Sequence, residues 1–206
     1  MCSDRKSHWD GIYGEKADSQ LSWHQDTPSV SLELAGLAGM TPDSSVIDIG
    51  GGTSRFVDSL IAKGLSDVSV LDLSRVALDT ARRRLGPRGE AVRWIASDIT
   101  NWSPARDYDL WHDRAVFHFL VDPEDRAAYL DRLGRSVRPG GHAIIATFAL
   151  DGPETCSGLP IVRYSPASLA DTLGPDFALS TQRICVHRTP SGRPQSFQFS
   201  LFRKTG

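Results

Sequence analysis

Apolar residues along this chain gather in short runs, and between the runs they recur at helical spacing. Five runs predict strands: Ser45–Ile49, Val68–Asp72, Ala91–Ala96, Tyr108–Asp113 and His142–Phe148. Several are continuous or β-branched enough to be buried on both faces. The intervening patterns predict helices over Ser54–Lys63, Arg75–Leu85 and Glu124–Val137, with another over Ser29–Leu37 ahead of the first strand. Asp122-Pro123 is a cap followed by a first-turn proline, and Arg138-Pro139-Gly140-Gly141 is a stop. Ser165-Pro166 opens a further helix to about Leu173 by the same logic. Strand and helix in alternation mean βαβ units.

The end of the chain breaks this rhythm. Phe177–His187 and Gln195–Arg203 read as strands, and the seven residues between them, RTPSGRP, cannot hold a crossover helix. Strands joined so closely are antiparallel. The expected fold is therefore α/β: a Rossmann-like αβα sandwich with a seven-stranded, mostly parallel sheet ending in an antiparallel hairpin. With 206 residues, one domain spanning 1–206 is expected.

Charge and composition narrow the partners. Twenty-three Lys and Arg against 25 Asp and Glu give a net charge of −2. No basic field marks a nucleic-acid binder, so no nucleic-acid partner is expected. The start, MCSDRKSHWDG, has no signal-peptide core, and no run approaches the ~20 apolar residues of a membrane span. A soluble, cytoplasmic protein without a membrane partner is expected. Cys2, Cys156 and Cys185 are odd in number and lack metal-finger spacing, which predicts reduced thiols and no metal site.

The chemistry concentrates at VIDIGGGTSRF, where the first strand runs into Gly50-Gly51-Gly52. Open parallel sheets bind ligands at that edge, and glycines let a ligand approach bare backbone. A dinucleotide fingerprint would continue to a third spaced glycine, but Arg55 stands there. That disfavours a hydride-transferring dehydrogenase. Asp48 just before the glycines suits a ligand carrying an ammonium group better than one carrying two phosphates, and S-adenosylmethionine has an ammonium and a sulfonium. Asp72, twenty residues beyond Gly52, ends the second strand, where an acid can accept from ribose hydroxyls. Asp98 follows the third strand, beside the place of an adenine. Any one of these acids alone reads as a surface or capping aspartate; three at successive strand ends read as a site.

Through VIDIGGGTSRF, VLDLS, ASDIT and VRPGGHAIIATF the chain resembles class I methyltransferases that use S-adenosylmethionine. LSWHQDTPSVSLEL and DLWHDRAVFHFLVDPEDRAAYLDRL are similar to segments of thiopurine methyltransferase-like enzymes, and the motif order is also similar to small seven-strand lysine methyltransferases. The resemblance implies that Asp48, Gly50, Gly51 and Gly52 line the methionine part of the cofactor. It implies Asp72 with Leu73 at the ribose, Asp98 with Ile99 at the adenine, and Trp23 with Gln25 in a lid. S-adenosylhomocysteine would be the product. In thiopurine-type enzymes an arginine after the fourth strand faces the site, which implies that Arg114 holds an anionic acceptor; a salt bridge to Asp113 or Asp109 is the alternative.

Methyl transfer mainly demands alignment of acceptor and methyl group. A base matters only for an acceptor that is protonated in solution, and His112, Asp113 and His118 are the candidates. His118 also reads as a packing residue. Residues 149–164 form a Gly- and Pro-containing loop expected on the acceptor side, which makes Cys156, Arg163 and Tyr164 acceptor-pocket candidates. Cys156 and Cys185 together read either as a pair for a thiophilic metalloid or as two unrelated thiols. Residues 1–28 read as a lid arm; Ser7–Gln25 lacks regular periodicity and is expected to order only with cofactor. The expected activity is methyl transfer to a small molecule, the alternatives being a protein lysine acceptor or a non-catalytic binding module. The oligomeric state is not written in the sequence.

Overall fold

The structure is a computed structural model that describes residues 2–206, with side chains from Arg5 onward; the Cys2 thiol lies outside the described side chains. The chain runs α1 (Cys2–Glu15), α2 (Ser29–Leu37), β1 (Val46–Ile49), α3 (Phe56–Ala62), β2 (Val68–Asp72), α4 (Arg75–Leu85), β3 (Arg93–Ala96), β4 (Tyr108–Arg114), α5 (Pro123–Ser136) and β5 (Val137–Phe148). It closes with a small hairpin, β6 (Thr155–Cys156) and β7 (Leu159–Pro160), then α6 (Pro166–Leu173), β8 (Phe177–Arg188) and β9 (Pro194–Lys204).

Seven strands form one sheet in the order β3-β2-β1-β4-β5-β9-β8. β1 to β5 are parallel, and β9 pairs antiparallel with both β5 and β8. Alternate residues feed two cores, one on each face. Val46, Val68 and Leu110 pack with Phe56 and Leu60 on one side; Ile47, Trp111 and Ile145 pack with Tyr129 and Leu133 on the other. The strand order reverses between β1 and β4, where open α/β sheets bind ligands.

Besides shifts of one or two residues at element ends, three larger differences from the expectations stand out. β3 begins at Arg93, because residues 86–91 form a 3-10 turn. β5 begins at Val137, directly after α5: Val137 pairs with Tyr108, the Pro-Gly-Gly stretch bulges with Gly140 at a φ of 75°, and pairing resumes at His142 opposite Leu110. Gly141 permits this: a Cβ there would lie 2.9 Å from the Arg138 carbonyl and 3.1 Å from that of Asp109. The largest difference is in the arm, where residues without helical periodicity of hydrophobicity form the 14-residue helix α1. Its stability comes from tertiary contacts. Asp10 accepts from Ser74 Oγ at 2.6 Å and pairs with Lys6, while Arg5 pairs with Asp125 on α5.

Candidate functional site

The carboxyl ends of β1, β2 and β4 and the N-terminal arm enclose a cavity of about 920 Å³, open mouth included. Its floor is the turn after β1. Gly50 and Gly52 have φ of 61° and 49°, and a Cβ on Gly50 would fall 2.0 Å from Val116 Cγ2. Both facts require glycine at position 50.

Gly50, Asp72, Leu73, Asp98 and Ile99 line one end of the cavity together with Ser97. Asp72 Oδ1 accepts from the Ser74 amide at 2.7 Å. Burial raises its carboxyl to about 7 against two helpful amides, those of Ser74 and Gly52. Asp98 Oδ1 accepts from the amide and the hydroxyl of Thr100 at 2.9 and 2.8 Å, fixing the turn after β3.

The other end is aromatic, with Trp9, Trp23, Phe119, Phe148 and Phe197 around Arg114 and Cys156. Trp9 stacks edge-on against Trp23 and Phe119, with ring centroids 5.8 and 5.2 Å apart. The Arg114 guanidinium lies 5.0 Å over the Phe197 ring. Nη1 donates to the Trp23 carbonyl at 2.9 Å, while buried Nε and Nη2 have no partner. Burial lowers Arg114 to about 10, so it stays a cation at neutral pH. Neither expected salt bridge forms: Asp109 pairs with Arg138 at 2.8 Å, and Asp113 serves the backbone.

Several expected site residues lie outside this cavity. Asp48 is buried beneath the glycine turn, with Oδ1 bound to His112 Nδ1 at 2.6 Å and Oδ2 unpartnered near Gly51. His112 is not placed to act as a base: its Nε2 meets Ser31 Oγ at 2.8 Å, and Phe56 stacks on its ring at 4.0 Å. Asp113 accepts from the amides of Val116 and Phe117 and from the Tyr129 hydroxyl at 2.6 Å, so it caps the turn after β4. His118 is fully buried against Phe119 and Phe148, and burial pulls it down to about 3. Arg163 is tied to the Gly152 carbonyl and Glu154, and Tyr164 packs on Phe117. Gln25 lines a separate, smaller pocket with Asp18 and His24. Gly51 and Gly52 shape the turn from behind: a Cβ on Gly51 would meet Val70 at 2.5 Å, and one on Gly52 the Tyr13 hydroxyl at 2.5 Å.

The sequence reading missed Tyr13, Trp9, Arg5 and Gln195 as cavity walls. Only the clustering of aromatics in Ser7–Gln25 hinted at the first two.

A family of methyltransferase domains matches residues 46–141. The chain thus resembles methyltransferases over just under half of its length. Its strand order, with one terminal antiparallel pair, is the class I methyltransferase fold. The chain is 27% identical over 108 residues to malonyl-[acyl-carrier protein] O-methyltransferase 2 of Ilyobacter polytropus, covering 52% of this chain and 40% of that one. It is 23% identical over 157 residues to EEF1A lysine methyltransferase 2 of Danio rerio, covering 69% and 67%. Among solved structures, N-methyltransferase NodS of Bradyrhizobium japonicum in complex with S-adenosylhomocysteine superposes with a TM-score of 0.77 at 20% identity, covering 98% of this chain and 99% of that one. The chain spans less than half the length of the first of these relatives. Among the described residues, no helix is long and apolar enough to cross a membrane, and no cluster of three or more His, Cys, Asp or Glu could hold a metal.

The donor set suits S-adenosylmethionine. A buried acid faces the cavity at the end of β2, a second acid follows β3, and the backbone at Gly50 is bare. No basic side chain lines that end to receive a phosphate, since the lining cations Arg5 and Arg114 belong to the roof and the aromatic end.

Proposed function

We propose that the protein transfers the methyl group of S-adenosylmethionine to a small molecule that carries an anionic group and is held against Arg114. The observation that carries this reading is one continuous cavity with an acid-lined end and an aromatic end built around a buried, half-satisfied guanidinium.

S-adenosylmethionine supplies an activated methyl on a sulfonium. Asp72 would accept from the ribose hydroxyls, Asp98 and Ile99 would frame the adenine, and Gly50 would let the methionine portion approach the backbone. The two Arg114 nitrogens without partners, Nε and Nη2, form the side-on edge of the guanidinium, which matches a carboxylate-like group with two hydrogen bonds. Each buried donor left unpaired costs ~1–3 kcal/mol, so an anion there is strongly favoured. The ammonium of a peptide lysine would meet like charge at that point instead. Phe197 and Trp23 hold the guanidinium by its face and by Nη1, while that edge is buried without a hydrogen-bond partner.

No side chain at the aromatic end has the pKa of a neutral-pH base. Cys156 is raised to about 11 by burial, and Tyr13 is raised well above its usual value. The acceptor atom is thus one that is nucleophilic without help, and catalysis rests on alignment and exclusion of water. The test is transfer from methyl-labelled S-adenosylmethionine to panels of thiols, N-heterocycles and amines, each with and without a carboxylate, and to lysine peptides. Transfer favouring carboxylate-bearing small molecules supports the reading. Transfer to lysine peptides alone would replace it, and S-adenosylhomocysteine binding with no transfer to any extract would mean a binding module.

A further inference from the structure

Arg84 lies in the last turn of α4, outside the cavity lining, and uses all three guanidinium nitrogens on four partners. Nε and Nη2 hold Asp58 of α3 at 3.0 and 2.7 Å. Nη1 donates to the Thr53 carbonyl at 3.0 Å, and Nη2 to that of Ser54 at 2.8 Å, both at the end of the glycine turn. Nη1 also reaches Asp18 of the arm at 3.2 Å, three residues before the Leu21–Trp23 stretch that descends to the cavity. The Arg84 side chain is only 15% exposed, so these contacts are shielded from solvent.

We infer that Arg84 is a positioning residue that couples docking of the N-terminal arm to the conformation of the cofactor turn. The inference rests on the reading that this cavity takes S-adenosylmethionine. One guanidinium plane is bonded at once to the arm, to two carbonyls of the turn and to the helix that follows it. When the arm lifts, Asp18 leaves and the Nη1 donor is shared by one acceptor fewer. The Arg84 plane is then free to rotate about its Asp58 contact, and the Thr53 and Ser54 carbonyls lose a fixed partner. When the arm is down, the plane is fixed and the turn with it. A lysine cannot reproduce this, because an ammonium is a point charge and the four partners lie around a planar fork.

The test uses S-adenosylhomocysteine binding by calorimetry and amide exchange of residues 17–25 in the full chain. Asp18→Asn, which is isosteric and touches nothing in the cavity, should weaken S-adenosylhomocysteine about fivefold and raise exchange in the arm, with little change in Tm. Arg84→Lys should weaken binding at least as much. In a cycle of Asp18→Ala with Arg84→Ala, the two losses in affinity should be strongly non-additive. Asp58→Asn should lower Tm without adding to the exchange of residues 17–25. Additive losses, or unchanged affinity in Asp18→Asn with a loosened arm, would overturn the coupling. If the unaltered protein fails to bind S-adenosylhomocysteine, the cofactor reading fails instead, and the two failures are distinct.

Discussion

The acid-lined end and the aromatic end of the cavity are built in opposite ways. The acid-lined end comes from three consecutive strand ends of one sheet, so its groups are placed by backbone pairing: Ile49 opposite Leu71, Asp72 opposite Ala96. The aromatic end is assembled from remote segments, with Trp9 and Trp23 from the arm, Phe119 after β4, Phe148 from β5 and Phe197 from β9. Local geometry fixes the first; the second exists only if the arm docks. Substitutions at the first should therefore act on cofactor affinity through rigid positions, and those at the second should act on the acceptor or on the motion of the arm.

The sharpest break is expected at Gly50→Ala. Its Cβ would collide with Val116 at a φ of 61°, which costs ~2–5 kcal/mol in overpacking and left-handed strain. Thermal unfolding should show a large drop in Tm, and S-adenosylhomocysteine binding should be lost. Next in size, Asp72→Ala removes a charged acceptor and should weaken S-adenosylmethionine and S-adenosylhomocysteine alike by ~1.5–3 kcal/mol. Unchanged titration curves for a folded variant would remove Asp72 from the site.

Arg114→Ala separates the two ends. It should cut kcat/KM for the acceptor at least about tenfold, the value of one charged hydrogen bond, while S-adenosylhomocysteine affinity stays within about twofold. Parallel losses in both would move the guanidinium to the cofactor's own carboxylate.

Acidity gives a smaller effect with a definite sign. Burial raises the Asp72 carboxyl to about 7, and ribose hydroxyls prefer its charged form. Affinity for S-adenosylhomocysteine should accordingly rise about tenfold from pH 6 to pH 8 and then level off, with proton release on binding near pH 7. Asp72→Asn should flatten that profile. Because burial raises this carboxyl, its ionisation costs stability between about pH 4 and pH 7, and because binding tightens with pH, added ligand should raise Tm more at pH 8 than at pH 6.

The contrast between the two ends also explains what the sequence could say. The alternation of parallel strands and helices, the hairpin and the places of Gly50, Asp72 and Asp98 follow from period, punctuation and spacing, which are local. His112 shows the limit. It stands on the strand next to β1, as a catalytic residue would, yet its side chain points away from the cavity to Asp48 and Ser31. Asp113 likewise faces the amides of the turn it caps. Which face of a short strand a side chain takes depends on the pleat phase, and a buried parallel strand with apolar residues on both sides carries no alternation to reveal it. The arm is illegible for a different reason: α1 is held by Asp10 to Ser74, Arg5 to Asp125 and Trp9 to Phe119, contacts made across the chain and absent from any window of sequence.

The most direct test of the account is calorimetric titration of S-adenosylhomocysteine into the unaltered protein, Asp72→Asn and Arg114→Ala at pH 8. The account predicts one site per chain in the unaltered protein, binding at least about tenfold weaker in Asp72→Asn, and affinity within about twofold in Arg114→Ala. No binding to the unaltered protein, or equal affinity in all three, would contradict it.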